Sequence, residues 1–181
     1  MRNFLSLLLL LSGLQLVSAQ SKDANNLTVP TTPNSVLTNS HIKTGKVIDN
    51  FNFKDLNGKS YSLASLKGKV VVLNFWFASC KPCIDEVDEL NFLVNKYKDS
   101  NVVFLSPSFE TMDVCKRFVE KYQFKTNVCN DQKEFTKTLE LIYYPTNIIL
   151  DKDGFIYKAY SGSVPDIDKV LSAELDFLLR M

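Results

Sequence analysis

From about residue 46 onward the chain alternates between short, nearly unbroken apolar runs and stretches in which apolar residues recur every third or fourth position. Residues 70–77 (VVVLNFWF) are almost all apolar and rich in β-branched and aromatic side chains, the pattern of a strand covered on both faces. Ile84, Val87, Leu90, Val94 and Tyr97 then share one helical face, which predicts an amphipathic helix of about four turns opening at Pro82. Residues 102–105 form a second buried strand, and Val114, Phe118, Val119 and Tyr122 mark the helix after it. A weak strand over 126–129 and a short helix over 133–139 precede a third apolar run at 146–150. The turn Asp151-Lys152-Asp153-Gly154 folds that run back on residues 155–160, and a closing helix from Pro165 carries Ile167, Val170, Leu171, Leu175 and Leu178. Upstream, residues 51–56 and 59–63 flank Asn57-Gly58, a strong hairpin signal. The β-α-β-α order in the middle implies a parallel core, and the hairpin turns at either end make the sheet mixed. The class is α/β.

The first 46 residues follow a different pattern. Arg2 precedes an apolar run that closes on Val17-Ser18-Ala19, as in a secretory signal peptide ending at residue 19. At about fourteen residues the run is short of the roughly 20 that span a bilayer, so no stable membrane insertion is expected after cleavage. Residues 20–46 are mostly Ser, Thr, Asn and Pro and read as a disordered polar linker, leaving 47–181 as the folded domain. The expected location is the periplasm or the exterior.

Charge and composition narrow the chemistry. Lys and Arg number 21 against 20 Asp and Glu, a formal charge of +1 with no dense basic stripe, which argues against a nucleic-acid partner. The single His, His41, lies in the linker, so Ser-His or Cys-His catalysis and His-rich metal sites are nearly excluded. No Gly-rich dinucleotide fingerprint is present, and no cofactor is expected.

The four cysteines then become the candidate chemistry. Cys80-Lys81-Pro82-Cys83 falls where the central strand gives way to a helix. A sulfur at a helix start meets unpaired backbone N–H groups and the positive end of the dipole, which favours the thiolate. Cys80 is thus expected to be the exposed nucleophile and Cys83, one turn inside, the resolving thiol. Zinc would want a second pair at ligand spacing, which Cys115 and Cys129, thirteen residues apart, do not supply. A purely structural bond across two residues would close too small a loop to stabilise much. For Cys115 and Cys129 three readings stay open: a second, structural disulfide, two buried reduced thiols, or a relay role.

With these residues in place the chain resembles the thioredoxin superfamily over about residues 47–181, on residues 74–83 (NFWFASCKPC) and on Tyr144-Pro145-Thr146 before the Asp153-Gly154 turn. Within it the chain is similar to the exported TlpA/ResA branch, through the opening hairpin, Gly68-Lys69 and Glu86, three residues after Cys83. The resemblance implies a thioredoxin-like fold with an N-terminal hairpin and an enzyme that exchanges disulfides, more as a reductase than an oxidant. It implies exported protein disulfides as substrates, apocytochrome c among them, and a membrane thiol donor. It makes Pro145 a cis-proline beside the sulfurs and Tyr144 a backbone contact for substrate, and it matches Trp76 to a core aromatic near the site, counted with the substrate-binding residues although packing is the role that this residue alone favours. Thioredoxin's buried Asp is replaced here by Asn74, which does not titrate; the residues alone leave Glu86 either as the group that takes the Cys83 proton or as one more acid, with Asp85, Asp88 and Glu89, complementing the helix dipole, and the resemblance favours the first.

Departures from the pattern bear on direction. Ser79 replaces the usual Trp, and Lys81 stands in the dipeptide between the cysteines. Lys81 is expected to favour the Cys80 thiolate by about 1 kcal/mol, whereas reductants and oxidants of this kind differ by about 150 mV, or ~7 kcal/mol. Two alternatives complete the set: a thiol peroxidase of the peroxiredoxin type, although the Pro-x-x-x-Thr-x-x-Cys pattern is missing, and a binding or chaperone module without catalysis.

Overall fold

The computed structural model describes residues 42–181. The expected signal peptide, His41 and the linker up to residue 41 lie outside the described residues.

Among the described residues seven strands and six helices follow in the order β1 (Asn52–Lys54), β2 (Ser60–Ser62), α1 (Leu63–Leu66), β3 (Val70–Phe75), α2 (Lys81–Asp85), α3 (Val87–Lys96), β4 (Val102–Pro107), α4 (Met112–Tyr122), β5 (Asn127–Cys129), α5 (Lys133–Thr138), β6 (Thr146–Leu150), β7 (Ile156–Ser161) and α6 (Ile167–Arg180). β1 and β2 pair antiparallel, with Phe53 opposite Tyr61, around Asn57-Gly58; Gly58 takes the positive φ of 87° that the turn needs. The main sheet has the order β5-β4-β3-β6-β7. β3, β4 and β5 run parallel, while β6 is antiparallel to β3 and β7 to β6. This is the mixed thioredoxin-like sheet that the sequence pattern implies.

Side chains alternate across the strands and divide the core in two. Val70, Val72 and Trp76 of the β3 segment and Ile149 of β6 pack with Leu90 and Leu93 of α3, Phe118 of α4 and Leu171 and Leu175 of α6. On the other face Val71, Leu73 and Phe75 meet Ile148 and Leu150, Phe53 and Tyr61 of the hairpin, and Phe135 of α5. β3 is buried at all six positions, as a central strand covered on both sides must be.

Two features depart from the sequence reading. The four-residue α1 has no helical period to announce it; it is held by a reciprocal cap in which the Ser62 and Ser65 hydroxyls each accept the other's backbone N–H. The single helix expected from Pro82 is two, α2 and α3, meeting at Glu86 (φ −80°, ψ −8°). The break turns Glu86 inward, where its side chain is almost completely buried.

The stretch from Gly45 to Leu56 lies against both outer strands. Gly45 N–H donates to the Ile156 carbonyl of β7 and Ile156 N–H to the Lys46 carbonyl, each at 2.8 Å, and Val47 bridges Phe155. At the opposite edge Leu56 N–H donates to the Val128 carbonyl (3.1 Å) and Asp55 bridges Cys129 of β5. Asp55 itself is buried and accepts from the backbone of Asn57 and Lys59 and from the Tyr61 hydroxyl.

Candidate active site

β3 runs out at Phe75, and the loop that follows is fixed before it reaches the first cysteine. The Ser108 hydroxyl donates to the Trp76 carbonyl (2.9 Å), and Ala78 N–H donates to the Glu110 carboxylate (3.1 Å). Cys80 then caps α2: its sulfur accepts the Cys83 N–H at 3.2 Å, and Pro82 stands in the first turn, where its missing N–H costs nothing. Cys80 and Cys83 are joined as a disulfide, S–S 2.02 Å, with Cα atoms 5.2 Å apart.

The pair is less open than expected. Cys80 is 5% and Cys83 4% exposed, so in the bonded form neither sulfur stands out to solvent. Lys81 points away from them: its ammonium pairs with Asp85, four residues on, at the exposed surface. It is committed to a helix-face ion pair of little net strength.

Glu86 lies three residues beyond Cys83 on the same side of the helix. Burial pushes its carboxyl up from an ordinary 4.5 to about 7; a hydrogen bond from Asn147 works against that rise and the Glu89 charge adds to it. Asn147 Nδ2 donates to Glu86 Oε2 (3.1 Å), and Oε1 is buried with no partner. Asn147 stands opposite Asn74 in the β3–β6 register, and Asn74 Nδ2 donates to Asn147 Oδ1 at 2.9 Å. Asn147 was not foreseen, although a polar residue inside an apolar strand run is a signal that a sequence offers.

The Tyr144-Pro145 peptide bond is cis. Pro145 immediately precedes β6, whose Thr146 pairs with Phe75, so the proline falls level with Trp76, four residues before Cys80. Tyr144 is half-buried and packs against the core cluster that contains both sulfurs. Its ring meets Phe77 edge-on (5.3 Å between centroids) and Phe109 likewise (6.0 Å), and Phe77 stacks on Phe109 at 5.7 Å. Phe109 and Tyr144 continue into an open groove of about 660 Å³ lined also by Lys133, Thr136, Lys137 and Ile142. Ile142 (63% exposed), Tyr143 (54%) and Phe109 (38%) make this side of the site an exposed apolar patch.

Two expectations are corrected. Trp76, counted with the substrate-binding residues, is instead the core aromatic that packing favoured: it is 1% exposed, its ring lies tilted against Phe118 with centroids 4.1 Å apart, and its Nε1–H donates to the Ser106 carbonyl. Phe77, the next residue, is half-buried and is the one whose ring meets Phe109 and Tyr144. Cys115 and Cys129 form no second disulfide; both are free and buried. Val128 packs into the helical core and Cys129, next along β5, into the hairpin core, on the face of the sheet away from Cys115 in α4. Burial pushes both thiols up to about 12, which leaves them protonated and inert near neutral pH. Among the described residues no group of three or more His, Cys, Asp or Glu side chains is placed to hold a metal ion, and no helix is long and apolar enough to cross a membrane.

A disulfide capping the helix after a central strand, a buried carboxyl one turn below it and a cis-proline level with the strand end define a thioredoxin-like thiol-disulfide oxidoreductase. The chain matches the AhpC/TSA family over residues 44–159 and belongs to it. Among proteins of known kind it is similar to the thiol-disulfide oxidoreductase ResA of Bacillus thuringiensis subsp. konkukian (strain 97-27), 39% identical over 120 residues covering 65% of this chain and 69% of that one. It is also similar to the thioredoxin-like protein YneN of Bacillus subtilis (strain 168), 30% identical over 139 residues, 75% of this chain and 81% of that one. In three dimensions the thioredoxin domain of a Bacteroides vulgatus thiol-disulfide oxidoreductase superposes with a TM-score of 0.66 at 26% identity, covering 74% of this chain and 99% of that one.

Proposed function

We propose that the protein is exported and reduces disulfides of other exported proteins, with Cys80 as nucleophile, Cys83 as resolving thiol and Glu86 as the acceptor of the Cys83 proton. The observation that carries this reading is the buried Glu86 carboxyl with one unpartnered oxygen, one turn below the Cys80–Cys83 bond and poised near neutral pH.

In the reduced form the Cys80 thiolate attacks one sulfur of a substrate disulfide and the other sulfur leaves as a thiolate. Cys83 then gives its proton to Glu86, and the resulting thiolate attacks Cys80 in the mixed disulfide. The second substrate sulfur leaves as a thiolate, the two substrate thiolates take up one proton from Glu86 and one from water, and the enzyme is left with the bond seen here. Two electrons have passed to substrate, and a second dithiol, supplied by a membrane thiol donor, must return them. Glu86 suits the step because a base with a pKa near the working pH is ionised often enough to accept a proton and basic enough to hold it.

The backbone of Tyr144 beside cis-Pro145 offers an edge to an extended substrate segment, and the Phe77, Phe109 and Tyr144 rings with Ile142 give that segment an apolar wall. An extended polypeptide fits this open site better than a small peroxide, which needs no such surface. Insulin reduction with dithiothreitol tests the reading: the wild type is expected to accelerate it, Cys80→Ser to abolish the effect and Cys83→Ser to trap a mixed disulfide. Consumption of peroxide without disulfide exchange would overturn it. A redox titration of the Cys80/Cys83 couple decides the direction, a potential near that of a reductant being expected. Mass analysis of the mature N-terminus decides export, with cleavage after Ala19 expected.

A further inference from the structure

Asn74 and Asn147 are a costly pair to bury. They are 3% and 0% exposed, in register on adjacent strands, on a face otherwise built from Val72, Trp76 and Ile149. Two aliphatic side chains would fill that layer without the desolvation that amides incur. What the amides provide is a directed chain: Asn74 Nδ2 to Asn147 Oδ1, then Asn147 Nδ2 to Glu86 Oε2. Against the ionised carboxylate this direction is the one that fits, because a rotated Asn147 amide would set oxygen against oxygen at Glu86.

We propose that Asn147, oriented by Asn74, is the positioning residue of the site: it ties Glu86 Oε2 to the sheet and leaves Oε1 as the oxygen reserved for the Cys83 proton. This rests on the reading of Glu86 as proton acceptor. A donor on Oε2 also favours the ionised carboxyl over the protonated one and so restrains the rise that burial imposes. Few other groups bear on it. From α3 the Glu89 charge pushes the same way as burial, and at the start of α6 Asp166, Asp168 and Lys169 act on Glu89. From β6 the facing polar group is the Asn147 amide, with the Asn74 amide of β3 behind it, and Cys83 lies one turn earlier in α2.

The test is a direct titration of the Glu86 carboxyl in the oxidised full chain, by side-chain carbon NMR or carboxyl infrared bands, in the wild type, Asn147→Ala, Asn147→Ser and Asn74→Ala. Removing a hydrogen bond to the charged form is expected to move the Glu86 midpoint up by about one pH unit or more in Asn147→Ala. Asn74→Ala, which frees the amide to rotate, is expected to move it up by less, and Asn147→Ser, which keeps a hydroxyl donor, to restore part of the wild-type value. The pH midpoint of insulin reduction should follow in the same order. If Asn147→Ala does not fold, the other two variants carry the comparison. An unchanged Glu86 midpoint in the folded variants overturns the positioning role. A midpoint that moves while the pH profile of reduction stays put keeps the positioning role and overturns Glu86 as the proton acceptor instead.

Discussion

Replacing Glu86 with Gln removes one ionisation from the core at nearly constant volume, and the structure sets the size of the effect. The carboxyl is raised from 4.5 to about 7, burial being the largest cause. An acid that is weaker in the folded than in the unfolded chain takes up a proton on folding between those values. The stability it allows is fully present below about pH 4.5 and is lost as pH rises through about 7. The displacement corresponds to about 3 kcal/mol once both states are ionised. The substituted amide carries no charge at any pH and can still accept the Asn147 N–H, so the variant should lack this loss. The assay is urea unfolding of the oxidised protein, followed by circular dichroism, at several values between about pH 4 and pH 8.5. Wild type and Glu86→Gln are expected to be equally stable at the acid end, and the variant more stable by about 3 kcal/mol at the alkaline end. Other titrating groups are common to both proteins and cancel in the difference. If the two stabilities run parallel across the whole range, Glu86 is not held in the environment described, and the argument for its part in proton transfer fails with it.

The same substitution should slow insulin reduction without changing the fold, and wild-type rates from about pH 6 to pH 9 would remove Glu86 from the mechanism. Phe109→Ala should raise KM for a protein disulfide about tenfold, equivalent to ~1.4 kcal/mol, while leaving the rate with a small aromatic disulfide unchanged; equal losses on both would show that the ring supports the site rather than the substrate. Cys115 and Cys129, fully buried, should resist iodoacetamide at about pH 8 in the native protein and react only on unfolding, so mass analysis finding either alkylated under native conditions would contradict their placement. Leu171→Ala, at a fully buried position of α6, should cost about 2–5 kcal/mol in chemical unfolding, and a loss below about 1 kcal/mol would show that the helix is not bound to the sheet as described.

Much of this was legible beforehand because the central strands are mostly apolar and the longer helices carry a clear period. β3, β4, β6 and β7, the hairpin and α6 fall within a few residues of their expected places, and the cysteine pair lies at the strand-to-helix junction its neighbours implied. What escaped is governed by single-residue effects. β5 has three residues, and a period of two over three positions does not say which face Cys129 takes; its parity separates it from Cys115. Packing was already the favoured role for Trp76, but the place of its neighbour Phe77 beside Phe109 and Tyr144 depends on the direction in which the chain leaves β3. Nothing in the run from Ile84 to Tyr97 marks the break at Glu86, because the apolar period continues across it. The link from Asn74 through Asn147 to Glu86 joins residues 73 and 61 positions apart and depends on strand pairing that composition cannot reveal.

The segment between Gly45 and Leu56 touches β7 at one border and β5 at the other, and thereby occupies backbone groups that an incoming strand would need. β5 is three residues long and already engaged at Val128 and Cys129, and β7 is engaged where it begins. Lateral growth of the sheet, whether by self-association into ribbons or by stitching a client polypeptide alongside, is thus discouraged at the two places open sheets are most vulnerable. What stays open beside the sulfurs is the end of the sheet, where Phe109, Ile142 and Tyr143 are exposed.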